Sequence, residues 1–243
     1  MSFLRRVRTH LAGQQGFTLP ELLVTMVVGT VILLGAFAII DASVTQSART
    51  QDQVDTIARG RQAMETITQE LRAQVCLGSG AGQAAVTAGD ANSVEFYADL
   101  GDNNSRPSPG TDVFRPDRFR LTYDPVARKI VEQVYEGSSS PAPPNQTFTL
   151  RRTRTLLENV DLITGKPFLR YYAFTGTEPI APSRQLPVPL NSDDRARVVQ
   201  IAVSYVARPT SGSLSGRRAT WFENFVYVRT SDPSDPTRSP LCV

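Results

Sequence analysis

Gln15-Gly16-Phe17-Thr18-Leu19-Pro20-Glu21-Leu22-Leu23 opens an apolar run that ends at Ile40, with Arg5, Arg6 and Arg8 ahead of it. From Phe17 to Ile40 is 24 residues. As a helix that is about 36 Å, enough for a hydrocarbon core of about 30 Å. From Leu22 onward its only polar side chains are Thr25 and Thr30, whose hydroxyls can bond back to helix carbonyls. Asp41, Ser43, Thr45, Gln46, Ser47 and Arg49 then stop the run sharply. The leading arginines, with no acid among the first 16 residues, predict a cytoplasmic amino end and an outward-lying remainder. Glu21 is the anomaly. A carboxylate at the mouth of an apolar segment is costly unless it finds a partner.

Two simpler readings stand beside a membrane segment with a dedicated acid. A cleaved secretory signal is cut near small residues past its apolar core. Ala42 and Ser43 lie there, but the run is long for that role and the chain continues as helix. A plain signal anchor has no use for Glu21.

Gly16-Phe17-Thr18-Leu19-Pro20-Glu21-Leu22-Leu23 resembles the processing and assembly motif of type IV prepilins and type II secretion pseudopilins. The resemblance implies cleavage between Gly16 and Phe17 by a membrane aspartyl prepilin peptidase, and methylation of the new amino terminus on Phe17. It also makes Glu21 the assembly glutamate, pairing with the α-amine of such a terminus, commonly a neighbouring subunit's. Pairing in low dielectric recovers part of the desolvation cost, so the acid serves as a register device. Pro20 departs from the commonest aliphatic choice, yet the first helical turn does not need its amide hydrogens.

The whole chain carries 26 basic and 23 acidic residues. Removing residues 1–16 takes away three arginines and no acid, leaving 23 of each. The basic character belongs to the leader, so it is not read as nucleic-acid affinity.

Beyond the membrane segment, Ala48, Val54, Ile57, Met64, Ile67, Leu71 and Val75 recur at spacings of three and four. That is an amphipathic helical pattern continuing the anchor to Leu77, with Arg59, Arg61, Glu65, Glu70 and Arg72 on its wetter faces. Gly78-Ser79-Gly80-Ala81-Gly82 is expected to end it. Val54 through Val75 should cover a sheet, a parallel coiled coil being the alternative. Gly29 and Gly35 permit close helix contacts or local unwinding.

The remaining 166 residues suffice for one compact domain. Strands are predicted at Ser93–Ala98, Arg118–Tyr123, Lys129–Tyr135, Phe148–Leu156, Leu169–Phe174, Val198–Val206 and Trp221–Val228. Val199, Ile201, Val203 and Tyr205 alternate with Gln200, Ala202, Ser204 and Val206, predicting one core face and one less apolar face. Segments 105–111, 138–145, 178–192 and 209–217, rich in Pro, Ser and Gly, read as excursions. The expected fold is α+β, a long transmembrane-to-amphipathic helix packed on a mainly antiparallel β head. Its parts are a cytoplasmic leader (1–16), a transmembrane assembly helix (17–40), an amphipathic helix (41–77) and an extracytoplasmic head (78–243). The order is similar to that of minor pseudopilins of the J or pilus W type.

The two cysteines, Cys76 and Cys242, fall in a compartment that permits disulfides. A bridge would fasten the carboxyl tail beside the helix end; free thiols or an intermolecular bridge are the alternatives. Asp99, Asp102 and Asn104 concentrate oxygen ligands that suit calcium, although the spacing is not that of an EF-hand and a solvated turn explains them equally. No other cofactor is expected. Arg151, Arg152 and Arg154 form the densest external basic cluster, a candidate DNA contact. As an extended segment, it puts Arg152 and Arg154 on one face and Arg151 on the other. Threonines, not aromatics, separate them, against a base-stacking platform. His10 is the only histidine and lies in the leader, so the processed chain has no histidine-dependent triad or multi-histidine metal site.

Together with the absence of an enzyme signature, the resemblance implies a structural subunit, not an enzyme: a minor pilin or pseudopilin at the tip or initiation complex of a pilus or type II secretion-like filament. Implied partners are other major and minor pilins or pseudopilins, the prepilin peptidase and an inner-membrane assembly platform. The alternative is an adhesin or DNA-uptake subunit whose head binds a surface ligand or DNA. The expected location is a single-pass cell membrane protein, cytoplasmic at its amino end, that assembles into an envelope or surface filament.

Overall fold

In the computed structural model of the chain, the described residues are 18–77, 84–98, 100, 116–138, 145–174, 184–209 and 219–229. The chain divides between Thr50 and Gln51 into two compact units, and helix α1 (Leu19–Arg72) contributes to each. In the first unit, the Thr18 carbonyl accepts from the amides of Glu21 and Leu22, at 3.0 and 3.1 Å. Pro20 therefore stands in the first turn, where no intrahelical amide bond is due. Thr25 and Thr30 bond back to the carbonyls of Leu22 and Met26, at 2.9 and 2.8 Å. The hydroxyls are thus satisfied within the helix, as the sequence predicts. Leu22 to Ile40 presents apolar side chains outward around nearly its whole circumference.

The described residues of the second unit include ten strands. β1 (Val86–Gly89), β2 (Ser93–Ala98), β3 (Asp117–Asp124), β4 (Lys129–Gly137) and β5 (Phe148–Glu158) form one antiparallel sheet in sequence order. A second antiparallel sheet has β10 (Thr220–Tyr227), β9 (Gln200–Ala207), β7 (Leu169–Ala173) and β8 (Arg184–Gln185) in that order, and β6 (Val160–Asp161) also pairs with β9. The α+β architecture is as expected. Val94, Phe96, Phe119, Leu121 and Ile130 of the first sheet, Tyr171, Ile201, Val203 and Tyr205 of the second, and Ala63, Ile67 and Leu71 of α1 belong to one core.

The buried stripe of α1 is Thr56, Gly60, Ala63, Met64, Ile67, Thr68, Glu70 and Leu71. It corrects the sequence reading at two places. Val54 is exposed, so the stripe starts two residues further on, at Thr56, whose hydroxyl bonds back to the Asp52 carbonyl. Glu70, assigned from sequence to a wetter face, is only 4% exposed. Gly60 is a contact surface: a Cβ there would strike the Phe222 ring, and its carbonyl accepts from the Tyr205 hydroxyl at 2.7 Å. Asn224 adds a bond from its Nδ2 to Thr68 Oγ1 at 3.1 Å.

α1 ends at Arg72, short of the expected Leu77. Gln74 pairs with Ala98 instead, and the Val75 amide donates to Tyr97 at 2.9 Å. The chain leaves the helix to continue the sheet where β1 stops, so the glycine-rich stretch is not what terminates it. The sequence also does not announce β1, whose Ala and Gly are poor strand formers. It is held by pairing with β2, and Gly89 lies where a Cβ would meet Leu190 and Tyr171. Helix α2 (Ser192–Arg197) is capped by the Asn191 side chain, which accepts from the Asp194 amide at 2.8 Å. Acids fill its first turn and arginines its last, matching the helix dipole. Strand β9 is buried on both faces rather than one. It is central, and the small Ala202 on its outward face lies in register with both Arg170 and Phe225.

Candidate functional site: an anchor acid and a buried carboxyl pair

Glu21 stands in the first turn of α1, exposed, and leads directly into the apolar segment. That helix is long and apolar enough, by length and composition, to cross a membrane. Gly16 and Phe17, the expected cleavage and methylation positions, lie outside the described residues.

Two of the three arginines on β5, Arg152 and Arg154, are brought to a place that sequence reading did not foresee. β4 sends Ile130, Glu132 and Val134 to the core and buries all three. Arg152 Nη2 lies 3.1 Å from Glu132 Oε1, and Arg154 Nη2 lies 2.7 Å from Glu132 Oε2. Arg154 Nη2 also reaches Glu70 Oε1 at 3.3 Å. Register slips between Val134 and Tyr135, where Arg152 and Leu150 are their partners, leaving Arg151 as the extra residue of a bulge. Arg152 and Arg154 do share a face, but it is the face of two buried carboxyl groups. Each guanidinium is committed to carboxylate, which opposes a phosphate-binding role for this pair.

Burial, above all, together with a hydrogen bond to Glu132 and its charge, pushes the Glu70 carboxyl up to about 9 against the pull of Arg154 and Arg152. For Glu132, burial opposes ionisation, yet the hydrogen bonds from Glu70 and Arg154 and the charges of both arginines hold it below the usual range. The assignment is physically asymmetric: Glu132 has a guanidinium on each oxygen, whereas among the described residues no donor reaches Glu70 Oε2. Glu132 was legible in part, because it occupies the core-facing register between Ile130 and Val134. Glu70 was hidden by the assumption that an acid on an amphipathic helix faces water.

Cys76 lies beyond the end of α1, partly buried, and is not a free thiol. Cys242, Asp99, Asp102 and Asn104 lie outside the described residues. Among the described residues no group of three or more His, Cys, Asp or Glu is placed to hold a metal ion.

The outward face of β10 carries Trp221, Phe225 and Tyr227, exposed by 74%, 46% and 39%. Between them Glu223 takes Lys166 at 2.8 Å and also pairs with Arg170. Lys166 and Arg170, after an opposing burial effect, hold the Glu223 carboxyl below its ordinary value through hydrogen bonds and charge.

No curated protein matches the chain in sequence. Residues 11–37 match the family described as the prokaryotic N-terminal methylation motif, a type IV pilin-like prepilin signal that takes in both Glu21 and most of the apolar segment.

Proposed function

We propose that this chain is a minor pilin or pseudopilin, a structural subunit of the tip or initiation complex of a pilus or type II secretion-like filament. The observation that carries the reading is Glu21 at the mouth of the apolar helix, inside the stretch that matches the methylation motif. Cleavage after Gly16 frees the α-amine of Phe17, and methylation marks it. Glu21 then pairs with such an amine on a neighbouring subunit, which fixes axial register while the apolar helices pack side by side. The amino end lies in the cytoplasm and the β-rich head outside. Subunits with this motif are normally structural, and the head's contribution is a specific interface with co-subunits. Cys76 bridges Cys242, fastening the carboxyl tail beside the end of α1.

The test is Glu21→Ala in the native host. Membrane insertion and cleavage after Gly16 remain, while crosslinking to co-subunits falls. Normal co-assembly of that variant, or a natural polypeptide that keeps its first 16 residues, counts against the proposal.

A further inference from the structure

We propose that Glu70, Glu132 and Arg154 form a one-proton latch, which ties the last turn of α1 to the edge strand β5 and frees that strand when the proton leaves. The argument starts from counting donors. Two carboxyl groups present four oxygens, and two guanidiniums supply three contacts: Arg152 to Glu132 Oε1, and Arg154 to Glu132 Oε2 and Glu70 Oε1. Among the described residues Glu70 Oε2 is left without a donor, in a residue 4% exposed and next to a Glu132 that is fully buried. An ionised Glu70 would hold an undonated oxygen in low dielectric beside a second negative charge, both strongly unfavourable. One proton resolves both problems. It neutralises Glu70 and makes it the donor in its hydrogen bond to Glu132.

The groups acting on the pair come from every element around it. α1 contributes Glu70, β4 contributes Glu132, and β5 contributes Arg152 and Arg154. The β3 residue in register with Glu132 is the apolar Leu121. Nothing on that side supplies a compensating charge.

Strand β5 is where the latch opens. Among the described residues it lies at the end of its sheet and pairs with β4 alone, and the ladder between them slips twice. Residues Thr149 to Thr155 are exposed. Arg154, which bonds both carboxyl groups, is itself 44% exposed at its side chain. Once Glu70 ionises, its stranded oxygen needs a donor, and water reaches it by lifting β5. Glu70 in the opened form titrates near the ordinary glutamate value, against about 9 in the closed form. Between those values, opening releases a proton. The opening equilibrium constant therefore rises about tenfold for each pH unit, and it levels off above the closed-form value.

The test is amide hydrogen exchange on the full-length protein in detergent micelles, corrected for intrinsic rates, from pH 6 to pH 10. In the wild type, protection of β5 amides should fall by up to about tenfold per pH unit, while β9 amides hold. Glu70→Gln keeps the shape and the neutral hydrogen-bonding group, and it should flatten the β5 response. Equal pH responses in wild type and variant overturn the proposal. So does a wild-type profile in which β5 and β9 lose protection together, or in which neither does, whether or not the variant folds.

Discussion

The Tyr205 hydroxyl, buried in the centre of the second sheet, donates to the Gly60 carbonyl of α1 at 2.7 Å. Burial pushes that phenol well above its usual range, so it remains a donor at any pH where the fold persists. Tyr205→Phe removes the bond and leaves the ring in place. The expected loss is about 1 kcal/mol of unfolding free energy, read from the denaturant midpoint with the slope unchanged.

At the same helix position, Gly60→Ala drives a methyl into the Phe222 ring. Overpacking of this kind costs about 1–3 kcal/mol. Phe222→Ala opens the space, so the double variant should be more stable than the sum of the two single losses predicts. Simple additivity in the double-mutant cycle would show that the two residues do not press on one another.

Glu132 sets the acid limit of the head. Its folded-state value is depressed, so its contribution is present above the unfolded glutamate range and is lost as pH falls through the lower, folded value. Glu132→Ala, measured at pH 7, leaves Arg152 and Arg154 facing a buried site without their carboxylate. The cost should approach the roughly 3 kcal/mol typical of breaking a buried pair. The variant should also lose the steep acid limb that the wild type shows in a thermal-melt series.

Lys166→Ala should change little. The Lys166 and Glu223 side chains are 39% and 29% exposed, and Arg170 still serves the carboxylate. A shift below about 1 kcal/mol is expected by thermal melt.

Mass measurement of the processed protein should detect no alkylatable thiol until reductant is added. Cys242→Ser should then leave Cys76 open to alkylation. Opening a bridge that closes so long a segment should lower stability by a few kcal/mol, about 5 at most.

The sequence was most legible where one physical requirement dominated. A membrane segment must be apolar along its length, and Leu22 to Ile40 of α1, with only Thr25 and Thr30 as polar side chains, satisfies this. Seven strands were legible because β-branched and aromatic residues, or threonines in β5, run between turn signals, and β2 (Ser93–Ala98) falls on its expected residues. What stayed hidden was set by tertiary neighbours. β1 is a strand because β2 needs an edge partner, not because Ala and Gly favour one. Helix α2 did have a local signal, Asn191 followed by two acids and then arginines, but it is short and falls almost wholly between the excursion that ends at 192 and the strand expected from Val198. Glu70 was misassigned because its burial depends on Glu132 and Arg154, which lie far along the chain. The same distance concealed the real partners of the β5 arginines.

The departure of the chain from helix to sheet at Gln74 and Val75 has a mechanical consequence. A pull directed along residues 51–72 of α1 is resisted first at Gly60, by Tyr205 and the Phe222 ring. It is resisted next at Thr68 through Asn224, then at Glu70 through Arg154, and last at the Val75 to Tyr97 bond. These fastenings follow one another along the helix and engage both sheets. Load is therefore shared in shear by several attachments, where a single terminal one would peel.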